Sequence, residues 1–293
     1  SRLFGLVWDE VDEFQSVYLQ LCGALHSLGR AAEVNCPLDA LIPRERSIID
    51  VERLHGLKHP TGDSLPILAP GGVKVTLPRA VITALTAEIT IFMREKPDDF
   101  FDHTDLLDFP GYRARYKFSD LREALASKEE MLKELFLRGK VAYLFERYRE
   151  EKELTSMLLC IAPGPQEVHD LPHAVYEWIC STHGEKPSSR AGKAPALFFV
   201  LTKMDMEFEK KKGSSSAEAR WDTRLEASLV KFFGQVHDWV DNWDGIHPFN
   251  NVFLLRNPNF TCEAIFDYNE GRESKVRHDQ LAFVEEVRQS FMQ

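Results

Sequence analysis

Three uninterrupted apolar runs constrain this chain most: residues 155–162 (TSMLLCIA), 196–202 (ALFFVLT) and 251–256 (NVFLLR). Each has strand length and lacks the polar alternation of a half-exposed strand, so each reads as a strand buried on both faces. Helical patterns at 169–180 and about 217–243 separate them, and another closes the chain at about 279–292. A shorter candidate strand at 104–108 (TDLLD) precedes a long charged helical stretch, 119–150. Strands alternating with helices imply a parallel sheet flanked by helices, an α/β fold. In such sheets ligands sit at the carboxyl ends of the strands.

The first part of the chain reads differently. Val11, Phe14, Val17, Tyr18, Leu21 and Ala24 fall at helical spacing and Gly29 closes the pattern, predicting a helix over 8–30. A short helix is expected at 47–54. Pro70, Gly71 and Gly72 mark a turn into the strand-like VKVTL, and Pro78 opens a helix expected to run to residue 94. Gly139 lies inside the 119–150 helical pattern and marks close packing or a break. The expected division is a helical segment over 1–60 and an α/β domain over 61–293.

Two short motifs stand at predicted strand ends. Asp108-Phe-Pro-Gly111 is a D-x-x-G. In a nucleoside-triphosphate site such an Asp holds Mg²⁺ through a water, and the Gly lets a backbone N–H approach the γ-phosphate. Alone the motif is weak, because Pro-Gly is also an ordinary turn. Thr202-Lys203-Met204-Asp205 is a [NT]-K-x-D directly after a buried run. Guanine presents N1–H and an exocyclic NH₂ side by side, which one carboxylate, here Asp205, can accept together; adenine has no such pair. Lys203 can lay its aliphatic stem over the base. Arg256-Asn257-Pro258, at the end of the next strand, is a weaker candidate for base contact. The order of the motifs on consecutive strands makes GTP with Mg²⁺ the expected ligand.

No G-x-x-x-x-G-K-[ST] occurs in the chain. The nearest imitation, Ser189-Arg190-Ala191-Gly192-Lys193-Ala194, lacks the first Gly and the final Ser/Thr and reads as a surface loop. Without that element nothing cradles the β-phosphate, so this chain alone is expected to bind GTP poorly and to be inactive as a GTPase. His169 and His173 are four apart but have no evident third metal ligand, and Arg113 and Arg115 read as surface charges. A net charge of −10 disfavours a nucleic-acid partner. Five cysteines, none at C-x-x-C spacing, fit a reducing cytoplasm better than a disulfide scaffold or zinc site. No run is long and apolar enough to predict a transmembrane helix. The chain starts at Ser1 with no basic-then-apolar leader, and a piece of a longer protein is expected.

The segments SIIDVERL (47–54), LTAEITIFM (85–93), DLLDFPGYRAR (105–115), LRGKVAYLFERY (137–148), WICSTHG (178–184) and LTKMD (201–205) resemble the SrfC-type virulence factor family of Gram-negative bacteria. The resemblance runs over nearly the whole chain. It implies a longer protein with a GTPase-like domain and an N-terminal P-loop that this chain lacks. Carried over, Asp108 and Gly111 match the phosphate and Mg²⁺ segment, and Thr202, Lys203 and Asp205 the guanine segment. The implied function is GTP binding with slow hydrolysis and readout to a protein partner. The alternative is a nucleotide-free, degenerate domain that binds proteins, or a secreted effector.

Overall fold

The structure is a computed structural model. It describes residues 11–42, 47–59, 62–90, 94–96, 98–108, 120–127, 130–164, 168–208, 222–257, 260–282 and 284–285. Two compact units divide the chain, Ser1–Leu144 and Phe145–Gln293.

In the first unit, helix α1 (Asp12–Ser27) buries Val17 and Ala24. It ends where Gly29 takes a left-handed φ of 65°. The segment 47–54 becomes a 3₁₀ helix, Val51–Leu57, rather than an α-helix. Strands β1 (Ser64–Ala69) and β2 (Val73–Pro78) form an antiparallel hairpin with Leu65 opposite Leu77 and Ile67 opposite Val75. Gly71 and Gly72, both at positive φ, supply the turn that the sequence marked. Leu65, Ile67 and Ala69 all point inward, as the period of two requires.

Helix α2 (Arg79–Leu85) is shorter than the expected 78–94. Thr86 caps it in an extended conformation, its hydroxyl donating to the Ile82 carbonyl at 2.7 Å. Residues 86–90 are non-helical; Thr86, Ile89 and Thr90 are β-branched and lose rotamer freedom in a helix. Buried Arg79 donates to Asp63 at 2.8 Å and Asp39 at 2.6 Å, tying α2 to two preceding segments. Helix α3 spans Leu121–Ser127, and α4 (Met131–Glu150) runs through Gly139 without a break. Buried Lys133 on α4 pairs with Glu52 and Glu130, both at 2.9 Å.

The expected strand at 104–108 does not form. Residues 104–108 are irregular and exposed, with Leu106 and Leu107 facing solvent. Two leucines framed by aspartates provide no continuous apolar edge to bury, so the segment has no reason to enter a sheet.

The second unit holds β3 (Met157–Ile161), β4 (Leu197–Leu201) and β5 (Val252–Leu254), parallel and in that order. Leu159 pairs with Phe199, and Phe199 with Val252. Between β3 and β4 lie α5 (Leu171–Thr182) and the one-turn α6 (Pro187–Arg190). Between β4 and β5 lie α7 (Asp205–Phe208) and a helix whose wide part, with π-type bonding, spans Glu226–Gly234. Val175, Trp178 and Ile179 of α5 and Leu229 and Phe233 of the wide helix share one core with Ile161, Phe199 and Leu201. Both helices therefore cover the same face of the sheet. Two right-handed crossovers travelling in the same direction must do so.

The opposite face carries Leu158, Cys160, Phe198, Val200 and Phe253, and Leu158 is 59% exposed. Val200 on that face is nonetheless buried and Phe198 half-buried, so among the described residues the expected cover on both faces is complete on one and partial on the other. After β5 a hairpin forms from β6 (Phe266–Asn269) and β7 (Arg272–Val276), which the sequence pattern did not announce. Of the expected closing helix, Leu281, Ala282, Val284 and Glu285 are helical; residues 286–293 lie outside the described residues.

Candidate functional site

The carboxyl edge of the three-stranded sheet is built by the turn after β4. The Thr202 N–H donates to the Ile161 carbonyl at 2.9 Å, and its hydroxyl reaches the same oxygen at 3.2 Å. Those bonds tie the turn to the end of β3. On the other side, the Met204 N–H donates to the Leu255 carbonyl at 3.2 Å. Between these anchors Lys203 takes a left-handed φ of 56°, an uncommon conformation for a residue with a side chain, and is exposed. Met204 turns inward and joins the core.

Asp205 opens α7 and is 7% exposed. Its Oδ1 accepts the Asn257 N–H at 2.9 Å, so the chain after β5 positions the carboxylate. Among the described residues this is the carboxylate's one hydrogen bond. A carboxylate has about four lone-pair sites, so acceptor capacity remains for a ligand.

Arg224 underlies the same edge. Its guanidinium donates to the Ile161 carbonyl at 3.0 Å, to the Thr202 carbonyl, and to Glu207 at 3.5 Å. It thus joins the ends of β3 and β4 from beneath. Burial pushes its pKa down, against the opposing charge of Glu207. Pro163, Gly164, Glu207, Arg224 and Ser228 line an open cleft of about 290 Å³ beside it.

The structure gathers Thr202, Lys203 and Asp205 into one turn and adds Asn257 to it. Asp108 lies in the first unit, exposed and outside any strand. Gly111, Arg113 and Arg115 fall outside the described residues. Arg256, read with Asn257, is instead committed to the hairpin: it pairs with Glu273 and lies 4.2 Å from the Phe266 ring centroid. His173 meets His237 rather than His169, Nδ1 to Nε2 at 3.1 Å. Among the described residues no three His, Cys, Asp or Glu side chains converge as a metal site.

Two residues escaped sequence reasoning. Arg224 sits in a helical stretch whose charges look solvated, and no local pattern marks it. Arg190 belongs to the segment read as a surface loop, yet it is completely buried. It donates to the carbonyls of Gly184, Glu185, Asn242 and Trp243 and closes off α6. That correction has a simple cause: Pro187 starts a helical turn whose only long side chain can satisfy four carbonyls at once. Buried in this way, the Arg190 guanidinium is not offered to a phosphate.

No helix among the described residues is long and apolar enough to cross a membrane. No curated protein and no solved structure matches the chain. A family model described as "Putative bacterial virulence factor" matches residues 1–293, the entire sequence, and the chain therefore belongs to that bacterial virulence factor family.

Proposed function

We propose that the second unit reads a guanine nucleotide at the carboxyl edge of its sheet, as part of a GTP-binding bacterial virulence factor. The observation that carries this reading is the Thr202–Asp205 turn. It follows the central strand of a parallel sheet, and Asp205 is held by a backbone N–H from the chain after the next strand. A carboxylate fixed there can accept the N1–H and NH₂ of guanine together, with the exposed Lys203 stem alongside the base plane.

Mg²⁺ and the triphosphate fit the described residues less well. Asp108, matched by motif to the Mg²⁺ position, is exposed on an irregular segment, and no second ligand accompanies it among the described residues. No catalytic step is assigned to this chain. None of the five cysteines is in a disulfide among the described residues, which is compatible with a reducing compartment, the cytoplasm of the bacterium or of a host cell.

The test is equilibrium binding of fluorescent GTP, GDP and ATP to the chain and to a longer protein that carries it. Guanine nucleotides should bind in preference to ATP. Asp205→Asn should weaken GTP and favour xanthosine triphosphate, because an amide NH₂ opposes the guanine donors and meets the xanthine carbonyl. Equal binding of GTP and ATP, or unchanged GTP affinity in Asp205→Ala, sinks the proposal. A second reading, a nucleotide-free protein-binding module, is favoured by the sheet face on which Leu158 and Phe253 are exposed among the described residues. Absence of any nucleotide binding by the longer protein would select it.

A further inference from the structure

The cleft at the carboxyl edge holds polar groups that the fold leaves unused. Its lining comes from three elements: Pro163 and Gly164 just after β3, Glu207 of α7, and Arg224 and Ser228 of the helix that leads into Glu226–Gly234. Ser228 is 6% exposed, yet its hydroxyl makes no hydrogen bond among the described residues. The Gly164 N–H has no partner among them either. Gly164 has a φ of 118°, and a Cβ there would meet nothing within 4 Å, so this glycine serves the bend of the chain and leaves space beside the cleft. A hydroxyl withdrawn from water without a partner costs free energy, which a ligand with hydrogen-bonding groups returns.

Charge and size narrow the ligand. The terminal nitrogens of Arg224 are spent on the Ile161 and Thr202 carbonyls, the Met204 sulfur and Glu207. Glu207 pairs with it at 3.5 Å, and the two charges offset each other. A neutral group rich in hydroxyls fits that lining better than a phosphate does. The volume of about 290 Å³ lies below the roughly 300–1,000 Å³ of pockets for drug-sized ligands, room for part of a nucleotide. Position supplies the third argument. Asp205 follows β4, and Pro163 and Gly164 follow its neighbour β3, about 4.8 Å away across the sheet. Burial lowers the Arg224 pKa and the charges of both Glu207 and Asp205 oppose it, so the cleft and the Asp205 carboxylate act on one guanidinium.

We infer that this cleft is the ribose subsite of the nucleotide site, an inference that rests on the guanine reading of Asp205. A sugar is joined directly to its base, so a base held at Asp205 sets its ribose over the end of β3. There Glu207 accepts from a ribose hydroxyl, and the Ser228 hydroxyl and the Gly164 N–H donate to ribose oxygens.

The test is calorimetry with unlabelled GTP, ATP, 2′-deoxy-GTP and 3′-deoxy-GTP, on the 293-residue chain and on a longer protein that carries it. A ribose-borne dye would occupy the hydroxyls in question. At least one deoxynucleotide should bind about tenfold more weakly than GTP, the loss of one hydrogen bond to a carboxylate. Glu207→Gln and Ser228→Ala should each narrow that gap and keep the preference for GTP over ATP. GTP preferred over ATP with both deoxynucleotides binding as GTP does keeps the guanine reading and overturns the ribose subsite. Equal binding of GTP and ATP that still weakens in a deoxynucleotide overturns the guanine reading alone, and no binding of any of the four overturns both. A gap unchanged in both folded variants also overturns the subsite. Core tryptophans Trp178, Trp239 and Trp243 report whether each variant is folded, and the deoxynucleotide comparison on the unaltered protein decides by itself if neither is.

Discussion

Arg190→Met is the perturbation that most directly tests how the second unit is held. The guanidinium is 0% exposed and donates to four backbone carbonyls. Nε bonds Trp243 at 2.6 Å, NH1 bonds Gly184 at 3.2 Å and Glu185 at 2.8 Å, and NH2 bonds Asn242 at 3.2 Å. Its carbon Cζ also lies 5.3 Å from the Trp243 ring centroid. Met preserves an unbranched stem and removes every donor. Hydrogen bonds from a charged group contribute about 1.5–3 kcal/mol each, and the buried charge itself costs several kcal/mol. Four such bonds outweigh that cost, and removing one side of a buried charged network loses about 3–5 kcal/mol. Arg190→Lys should recover less than half, because a compact ammonium cannot reach four carbonyls arranged for a planar fork. Trp178, Trp239 and Trp243 all belong to this unit's core, so tryptophan fluorescence during denaturant unfolding reports the loss. A Met variant within about 1 kcal/mol of the parent would mean that desolvation cancels the four bonds, and the reasoning would fail.

Acid should weaken the same unit. Buried His183 accepts the Ala196 N–H at its Nε2, 2.9 Å away, and burial followed by the charges of Lys193 and Arg190 lowers its pKa. His237 is lowered by burial and then by His173, with Asp238 opposing. A histidine whose folded pKa lies below its unfolded value of about 6.5 is fully stabilising above that pH and loses stability as pH falls below it. The unfolding midpoint should therefore drop between pH 7.5 and 5.5, and His183→Gln should flatten that slope; an unchanged slope removes His183 from the account. Gly184→Ala should cost roughly 2–3 kcal/mol, since φ is +104° and a Cβ would meet the Ser189 Cβ at 2.6 Å. A thermal shift within one degree of the parent would contradict that clash. Arg224→Met should loosen the ends of β3 and β4 by about 3 kcal/mol. Amide exchange at Thr202 should rise with it, whereas exchange at Leu65 in the first unit serves as the unaffected reference.

The sheet was legible because burial leaves a one-dimensional trace. An uninterrupted apolar run such as ALFFVL has few places to go except between two strands, and the run itself orders the strand. The Thr202–Asp205 turn was legible for the same reason: the polar residues begin where the buried run stops. Segment 104–108 shows the limit. Two leucines framed by aspartates have the length of a short strand but not its apolar continuity. The short α2 shows another limit, since Pro78 marks the start of a helix well while β-branched residues end it only through summed small costs.

Long-range polar clamps leave no such trace, and they are what hold the candidate site. Arg224 reaches from the helix after Asp205 back to the end of β3, and Asn257 reaches Asp205 with a backbone N–H that every residue except proline possesses. Neither spacing nor composition distinguishes these groups from solvated neighbours. The functional argument therefore turns on coupling. If Asp205 reads a base, its aim depends on the Asn257 backbone and on the Arg224 clamp beneath Thr202, neither of which need touch the ligand. Arg224→Met should then reduce guanine-nucleotide affinity and nucleotide discrimination together, as loss of aim does. A direct phosphate contact would instead lower GTP and ATP binding equally and leave discrimination intact. Measuring both nucleotides on one variant separates a residue that shapes the carboxyl edge from one that binds at it.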